Sequence, residues 1–299
     1  MNVIYSLRSF FVFVVIVSLP QWMLAQSSVD LKLRIKPQDK FSVEQKLVQE
    51  IKQVAMGQEV NIIQNSKISY DYDVLAANAE EIVIRSTFRS IQLDMTTPQG
   101  NLSIDSEQDI DSVNPLKPVG EMVGKSFSIY LSPKGEVNKV EGFTSMFEQM
   151  DNEATKNMIE QMFNDELMAK SFEAIFKIYP SGSVKKGDSW NSTISATTGG
   201  MFITTSENTY TLYDLANDHA TINVQSDVRI APAGNGKMMG MDMEYDLKGI
   251  QTGKIVVDVN TGMASDFTIE QLISGAIKAQ GMTIPVTIKT NNDVQAKKL

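Results

Sequence analysis

Between Leu31 and Met95 the chain alternates apolar and polar positions with a period of two, broken by short turns. Ile68, Tyr70, Tyr72 and Val74 share one face, and Ile82, Ile84 and Phe88 share another stretch of face after a turn at Ala76–Ala79. Residues 41–54 fit two patterns: Phe41 to Leu47 alternates, while Val43, Leu47, Val48, Ile51 and Val54 follow a helical spacing. Thr97-Pro98-Gln99-Gly100 predicts a turn, because Pro presets φ and Gly accepts positive φ. Ser106 to Pro118 is acidic and then Pro-interrupted, which predicts a long connection with a short helix opened by Pro115.

A similar order of patterns returns further along. Tyr70 to Ile84 can be laid on Tyr210 to Val224 at an offset of 140 residues. Asp39-Lys40-Phe41 matches Asp188-Ser189-Trp190 at 149, and Ile129 to Gly135 resembles Val256 to Gly262 at 127. Three matches in order predict a tandem duplication. The match decides residues 41–54 in favour of strand, since their counterpart, Trp190 to Ser195, is rich in β-branched residues.

Between the two units the period changes to a helical one. Ala154, Met158, Ile159, Met162 and Phe163 form one stripe, with Asp151 or Asn152 as cap. Met168, Phe172, Ile175, Phe176 and Tyr179 form a second, capped at Asn164-Asp165 and ended by Pro180 and Gly182. The expected fold is mainly β (α+β): two related antiparallel β units, 26–142 and 181–299, with a pair of amphipathic helices inserted at 143–180. The alternative is one continuous domain over 26–299.

Residues 1–25 are set apart from this fold. Arg8 precedes an apolar run from Phe10 to Leu19, Pro20 breaks it, and Met23-Leu24-Ala25 precedes Gln26. This is the layout of a cleaved export signal, and the run is about half of the ~20 residues a membrane-spanning helix needs. The expected location is the periplasm or the exterior of the cell.

Composition narrows the chemistry. The net charge of −9 lacks the basic footprint of nucleic-acid binders. With no cysteine there are no disulfides, thiolate metal sites or thiol nucleophiles, and one histidine cannot make a multi-His site. That residue, His219, falls in a predicted hairpin turn. Ser183-Val184-Lys185-Lys186 matches a serine–lysine pattern but lacks its helix and companion motifs. In Gly187-Asp188-Ser189-Trp190, Asn191 stands where a nucleophile elbow needs Gly. Asp105, Asp109 and Asp111 suggest calcium, but Val113 and Asn114 occupy the positions of the next ligand and the Gly, so a solvated loop is expected. Asp242, Glu244 and Asp246 alternate as the wet face of a strand would. Met238, Met239, Met241 and Met243 could offer thioethers to copper(I), although Met241 and Met243 also suit a buried strand face. Gly234-Asn235-Gly236 reads as a turn. No cofactor or metal is expected, and no enzymatic constellation is visible, although paired carboxylates leave no sequence signature.

Lys186-Gly187-Asp188-Ser189-Trp190, opening a long strand pair, and the strand-turn-strand from Ser132 to Gly142 resemble a family of exported bacterial proteins whose domain has no assigned function. The resemblance implies a β-rich exported protein and supplies no catalytic residues. More loosely, curved antiparallel strands covered by helices are similar to periplasmic lipoprotein carriers. The expected role is binding of an apolar ligand or an envelope partner without catalysis. The alternatives are an envelope assembly factor that pairs through a sheet edge and a hydrolase with a carboxylate site. Met146, Phe147, Met150, Met158, Met162, Phe163, Met168 and Phe172 are the expected lining of a lipophilic pocket.

Overall fold

The computed structural model describes residues 28–299 except 56, 112, 149–155, 157–163, 199–201, 234–236, 239–240 and 280. The export signal, the first inserted helix and the Gly234–Gly236 turn therefore lie outside the described residues, as do the side chains of Met238, Met241 and Met243.

Thirteen strands among the described residues form one antiparallel sheet. They are β1 Lys40–Ala55, β2 Gln58–Ala77, β3 Ile82–Thr97, β4 Gly100–Asp105, β5 Ser126–Leu131, β6 Val137–Glu141, β7 Ser189–Thr198, β8 Phe202–Ala216, β9 His219–Pro232, β10 Lys237–Met238, β11 Met241–Asp258, β12 Ala264–Ala279 and β13 Met282–Lys298. The order across the sheet is β6-β5-β3-β2-β1-β13-β12-β11-β9-β8-β7, with β4 on β3 and β10 on β11. Residues 41–54 are strand, and the two β units are not separate sheets: β13 lies between β1 and β12 and joins them.

The alternation in the sequence becomes two faces. In β9, Ala220, Ile222, Val224, Ser226 and Val228 are buried while the residues between them are not. In β3 the buried set shifts from Ile82, Ile84, Ser86 and Phe88 to Ile91, because Arg89 is an extra residue in a bulge opposite Ser69 and Tyr70. Arg89 turns outward to Asp71 and Ser42.

The segment matches persist locally, with a change of register. Val74 and Leu212 each receive the N–H of the residue before an aspartate, Gln38 and Gly187, and each donates to the carbonyl of that aspartate, Asp39 or Asp188. Phe41 pairs with Tyr72 and Trp190 with Tyr210. The structural offset between β2 and β8 is thus 138 rather than 140. It is 126 between Leu131 and Val257, which face Ile82 and Ala220, rather than 127. A period of two cannot distinguish registers that differ by two residues, and the different turn lengths hide the single-residue step. The bulged residues Leu75 and Tyr213 obey the same offset of 138 and both are exposed.

The sheet curls until its two outer strands, β6 and β7, both pack on the helix Asp165–Phe176. β11 and β12 approach closely at Gly249. A Cβ on Gly249 would lie 2.0 Å from the Leu272 carbonyl oxygen, so only glycine allows the approach. Two apolar clusters fill the end covered by the helix, one around Phe41, Phe88, Phe127 and Phe143, the other around Leu212, Ile222 and Ile255. A third, around Val228, Leu247, Ile273 and Val286, lies further along the strands.

A row of polar side chains separates that third cluster from the others. In register across eight strands run Gln64, Gln49, Thr290, Gln271, Gln251, Ser226, Asn208 and Ser192. Gln49 Nε2 donates to Thr290 Oγ1 at 3.1 Å and Gln271 Nε2 to Gln251 Oε1 at 3.2 Å. The buried Ser226 hydroxyl donates to Asn208 Oδ1 at 2.6 Å. These bonds between neighbours are what lets the amides sit on an otherwise apolar face, while the Ser192 hydroxyl at the end of the row is buried without a partner among the described residues.

Candidate functional site

The helix Asp165–Phe176 begins where its cap predicts. The Asn164 side chain accepts the Leu167 N–H at 3.0 Å, and Asp165 and Thr144 exchange two hydrogen bonds that tie the helix start to the 3-10 turn Thr144–Phe147. Its far end rests on the β5–β6 turn. Gly135, at φ +81°, lies so close to the Phe176 carbonyl that a Cβ would be 1.8 Å from its oxygen. Beyond the helix, Tyr179 donates its hydroxyl to the Gly262 carbonyl at 2.7 Å. Lys134 in the same β5–β6 turn reaches Asp30, the Leu31 carbonyl and the Pro180 carbonyl, fastening the N-terminal segment and the helix exit together.

Between this helix and the sheet lies a cavity of about 260 Å³, partly open to solvent. The helix lines it with Met168, Ser171, Phe172, Ile175 and Phe176. The sheet contributes Val43 and Gln45 from β1, Tyr70 and Tyr72 from β2, Ala264 and Phe267 from β12, and Asn292, Val294 and Ala296 from β13. Met263 and Tyr179 complete the lining. The volume is just below the ~300–1,000 Å³ of pockets for drug-sized ligands. None of the described lining residues carries a formal charge.

The polar groups of the cavity differ in how they are satisfied. Gln45 Nε2 donates to Asn292 Oδ1 at 2.9 Å. Tyr179 is held by Gly262, and Ser171 donates to the Leu167 carbonyl. Tyr70 and Tyr72 are 9% and 4% exposed, and among the described residues neither hydroxyl meets a hydrogen-bond partner. Burial pushes both phenols far above their ordinary range, so both stay protonated donors. Their rings are fixed from behind by an aromatic chain: Tyr70 lies 5.1 Å from Phe88, Phe88 5.7 Å from Phe127, and Phe127 5.5 Å from Phe172 on the helix.

Of the eight residues expected to line a pocket, Met168 and Phe172 do so. Met146 and Phe147, in the 3-10 turn, are buried in the core cluster that includes Phe143 and are not among the residues lining the cavity. Met150, Met158, Met162 and Phe163 lie outside the described residues. The sheet half of the cavity was not anticipated, although Tyr70 and Tyr72, two residues apart on a buried face, carry the only available hint.

Other described candidates sit in turns and surface ion pairs. His219 is exposed at a two-residue turn, Asn217-Asp218, whose residues have φ of 52° and 61°, and its Nδ1 lies 2.7 Å from the Asn217 carbonyl. Asp105 and Asp111 accept the N–H groups of Glu107 and Val113 in local turns. Asp188 accepts the Lys185 N–H, and Lys186 pairs with Asp214. Glu244 and Asp246 are exposed and pair with Lys278 and Lys248. Trp190 is half-buried, unlike the deeply buried Phe41, because β7 is an edge strand; its indole N–H donates to the Ile178 carbonyl at 3.0 Å. No described helix is long and apolar enough to cross a membrane.

A family of unknown function, DUF6263, matches residues 79–264. Among curated proteins, none matches the sequence. The solved structure on lipid–protein interactions in lipovitellin is similar in fold, with a TM-score of 0.50 at 6% identity; it covers 88% of this chain and 25% of its own. The chain therefore spans about a quarter of that protein's length. The COG4313 outer membrane channel from Pseudomonas putida F1 aligns over 89% of this chain and 98% of its own, at 9% identity and a TM-score of 0.25. The translocator domain of the autotransporter NalP from Neisseria meningitidis aligns over 88% and 90%, at 5% identity and 0.24. Those two scores are too low to speak for a shared fold.

Proposed function

The chain belongs to DUF6263, a family of unknown function, and we propose from its own geometry that it is a non-enzymatic binding protein for an apolar molecule, exported to the periplasm or beyond. The cavity between the helix and β1, β2, β12 and β13 carries this reading. It is lined by apolar and aromatic side chains from two directions and is anchored at fixed points, Gly135 under the helix end and Tyr179 on Gly262. An uncharged cavity that is not filled by its own side chains favours an apolar occupant. Lipovitellin, whose structure concerns lipid–protein interactions, is a supporting case at the level of fold only. The layout of residues 1–25 supports export. We further take the two sets of strands to descend from one duplicated unit, a reading supported by the matching turns at Asp39 and Asp188.

Displacement of the fluorescent probe N-phenyl-1-naphthylamine tests the binding role. The protein is expected to take up the probe, and Ile175→Lys, which places an ammonium in the cavity wall, is expected to lose uptake while its circular dichroism is unchanged. No uptake by the wild type, or full uptake by the folded variant, would count against it.

A further inference from the structure

Resting on that reading, we propose that the cavity selects an uncharged ligand bearing a hydrogen-bond acceptor, such as an ester or ketone on an aliphatic chain, and that Tyr70 and Tyr72 are its specificity-determining residues. Three observations carry the inference. Both side chains line the cavity and are more than nine-tenths buried as residues, while their hydroxyls keep accessible surface and have no partner among the described residues. An occupant that covers these donors without offering an acceptor leaves them unpaired, so one that offers an acceptor is favoured over a plain hydrocarbon. Two further polar pairs of the wall are formed within the protein: Gln45 Nε2 donates to Asn292, and Tyr179 donates to Gly262.

The third observation is the absence of charge. No described lining residue is cationic, so a carboxylate entering the cavity would lose water without gaining a counter-ion. A neutral phenol can donate one hydrogen bond to a carbonyl, but two phenols do not replace the hydration of an anion. The burial that holds both phenols protonated also keeps the cavity itself uncharged. The chemistry therefore favours an ester over the free acid of the same chain length, and the ester over the alkane.

The test is competition for the bound N-phenyl-1-naphthylamine by methyl laurate, laurate at pH 8 and dodecane, on the purified full chain. Methyl laurate is expected to compete best. The Tyr70→Phe and Tyr72→Phe variants are each expected to lose about fivefold of its advantage over dodecane, the worth of one net hydrogen bond. Dodecane competition should not change in either variant. Tyr210→Phe, a buried tyrosine outside the cavity, should leave the preference intact. Equal competition by laurate and its ester, or an undiminished preference in the double Phe variant, would overturn the proposal while leaving apolar binding standing. Failure of the wild type to bind the probe or any competitor would overturn the binding role itself, and this inference with it.

Discussion

Asp39 and Asp188 close the same turn 149 residues apart: each carboxylate accepts the N–H of the lysine three residues earlier, Lys36 at 2.9 Å and Lys185 at 2.8 Å. The residue before each aspartate has positive φ, Gln38 at 75° and Gly187 at 92°. One turn therefore uses the residue suited to that conformation and the other does not. Gln38→Gly is expected to hold or raise stability, while Gly187→Gln is expected to lower it by about 1 kcal/mol, the cost of a left-handed non-glycine residue. Nothing lies within 4 Å of the added Cβ at Gly187, so the effect is conformational. Urea denaturation of both variants checks it; equal effects of the same sign would refute it.

Phe41 and Trp190 are the second residues of β1 and β7 and sit at equivalent pairings, but β1 is interior and β7 is an edge. Phe41→Ala is expected to cost about 3–5 kcal/mol, typical of a buried aromatic. Trp190→Ala is expected to cost less, because the indole is half-buried and stacks on Tyr210 at a centroid distance of 5.7 Å. Equilibrium unfolding of the two variants orders them; a larger loss at Trp190 would contradict the edge argument.

The polar row across the sheet makes a separate prediction. Asn208 is 3% exposed and accepts the Ser226 hydroxyl, itself 2% exposed. Asn208→Ala removes the acceptor of that buried hydroxyl and should cost about 1–3 kcal/mol. Adding Ser226→Ala should recover part of the loss, since removing both partners is milder than removing one. A double variant as damaged as the sum of the singles would show that the pair is not coupled.

Asp30 gives a pH signature. Hydrogen bonds from Lys32 and then Lys134 outweigh its burial and hold its carboxyl at about 2, below the usual 3.8. A lowered folded-state value means the stabilisation is complete above about pH 4 and is lost as the pH falls towards 2. The melting temperature of Asp30→Asn should accordingly lie below that of the wild type at pH 5, and the gap should narrow between pH 4 and 2. A gap independent of pH would mean that the ion pairs at 2.7 and 3.0 Å contribute nothing through charge.

The alternation in β3 and β9 and the cap at Asn164 were readable because they are set by neighbours in sequence: a period of two, or an amide three residues ahead. The bulge at Arg89 was not, because an extra residue becomes visible only against the partner strand. The cavity shows the same division. Met168 and Phe172 belong to one helical stripe and announced themselves. Gln45, Tyr72, Phe267 and Asn292 come from four strands, and nothing in their local patterns states that they face one another.

By itself the sequence determined which residues turn inward: local alternation, turn chemistry and caps dictate the strands, the hairpins and the buried face of the helix. Tertiary structure decided what those faces meet. Placing β13 between β1 and β12 joins the first and last strands of the folded chain, through contacts separated by up to 257 residues, Phe41 to Lys298. Curling that sheet onto one helix then encloses a space that Tyr70 and Tyr72 line without being paired. Register, curl and enclosure depend on hydrogen bonds and packing between distant segments, where the period of a pattern carries no information about its partner.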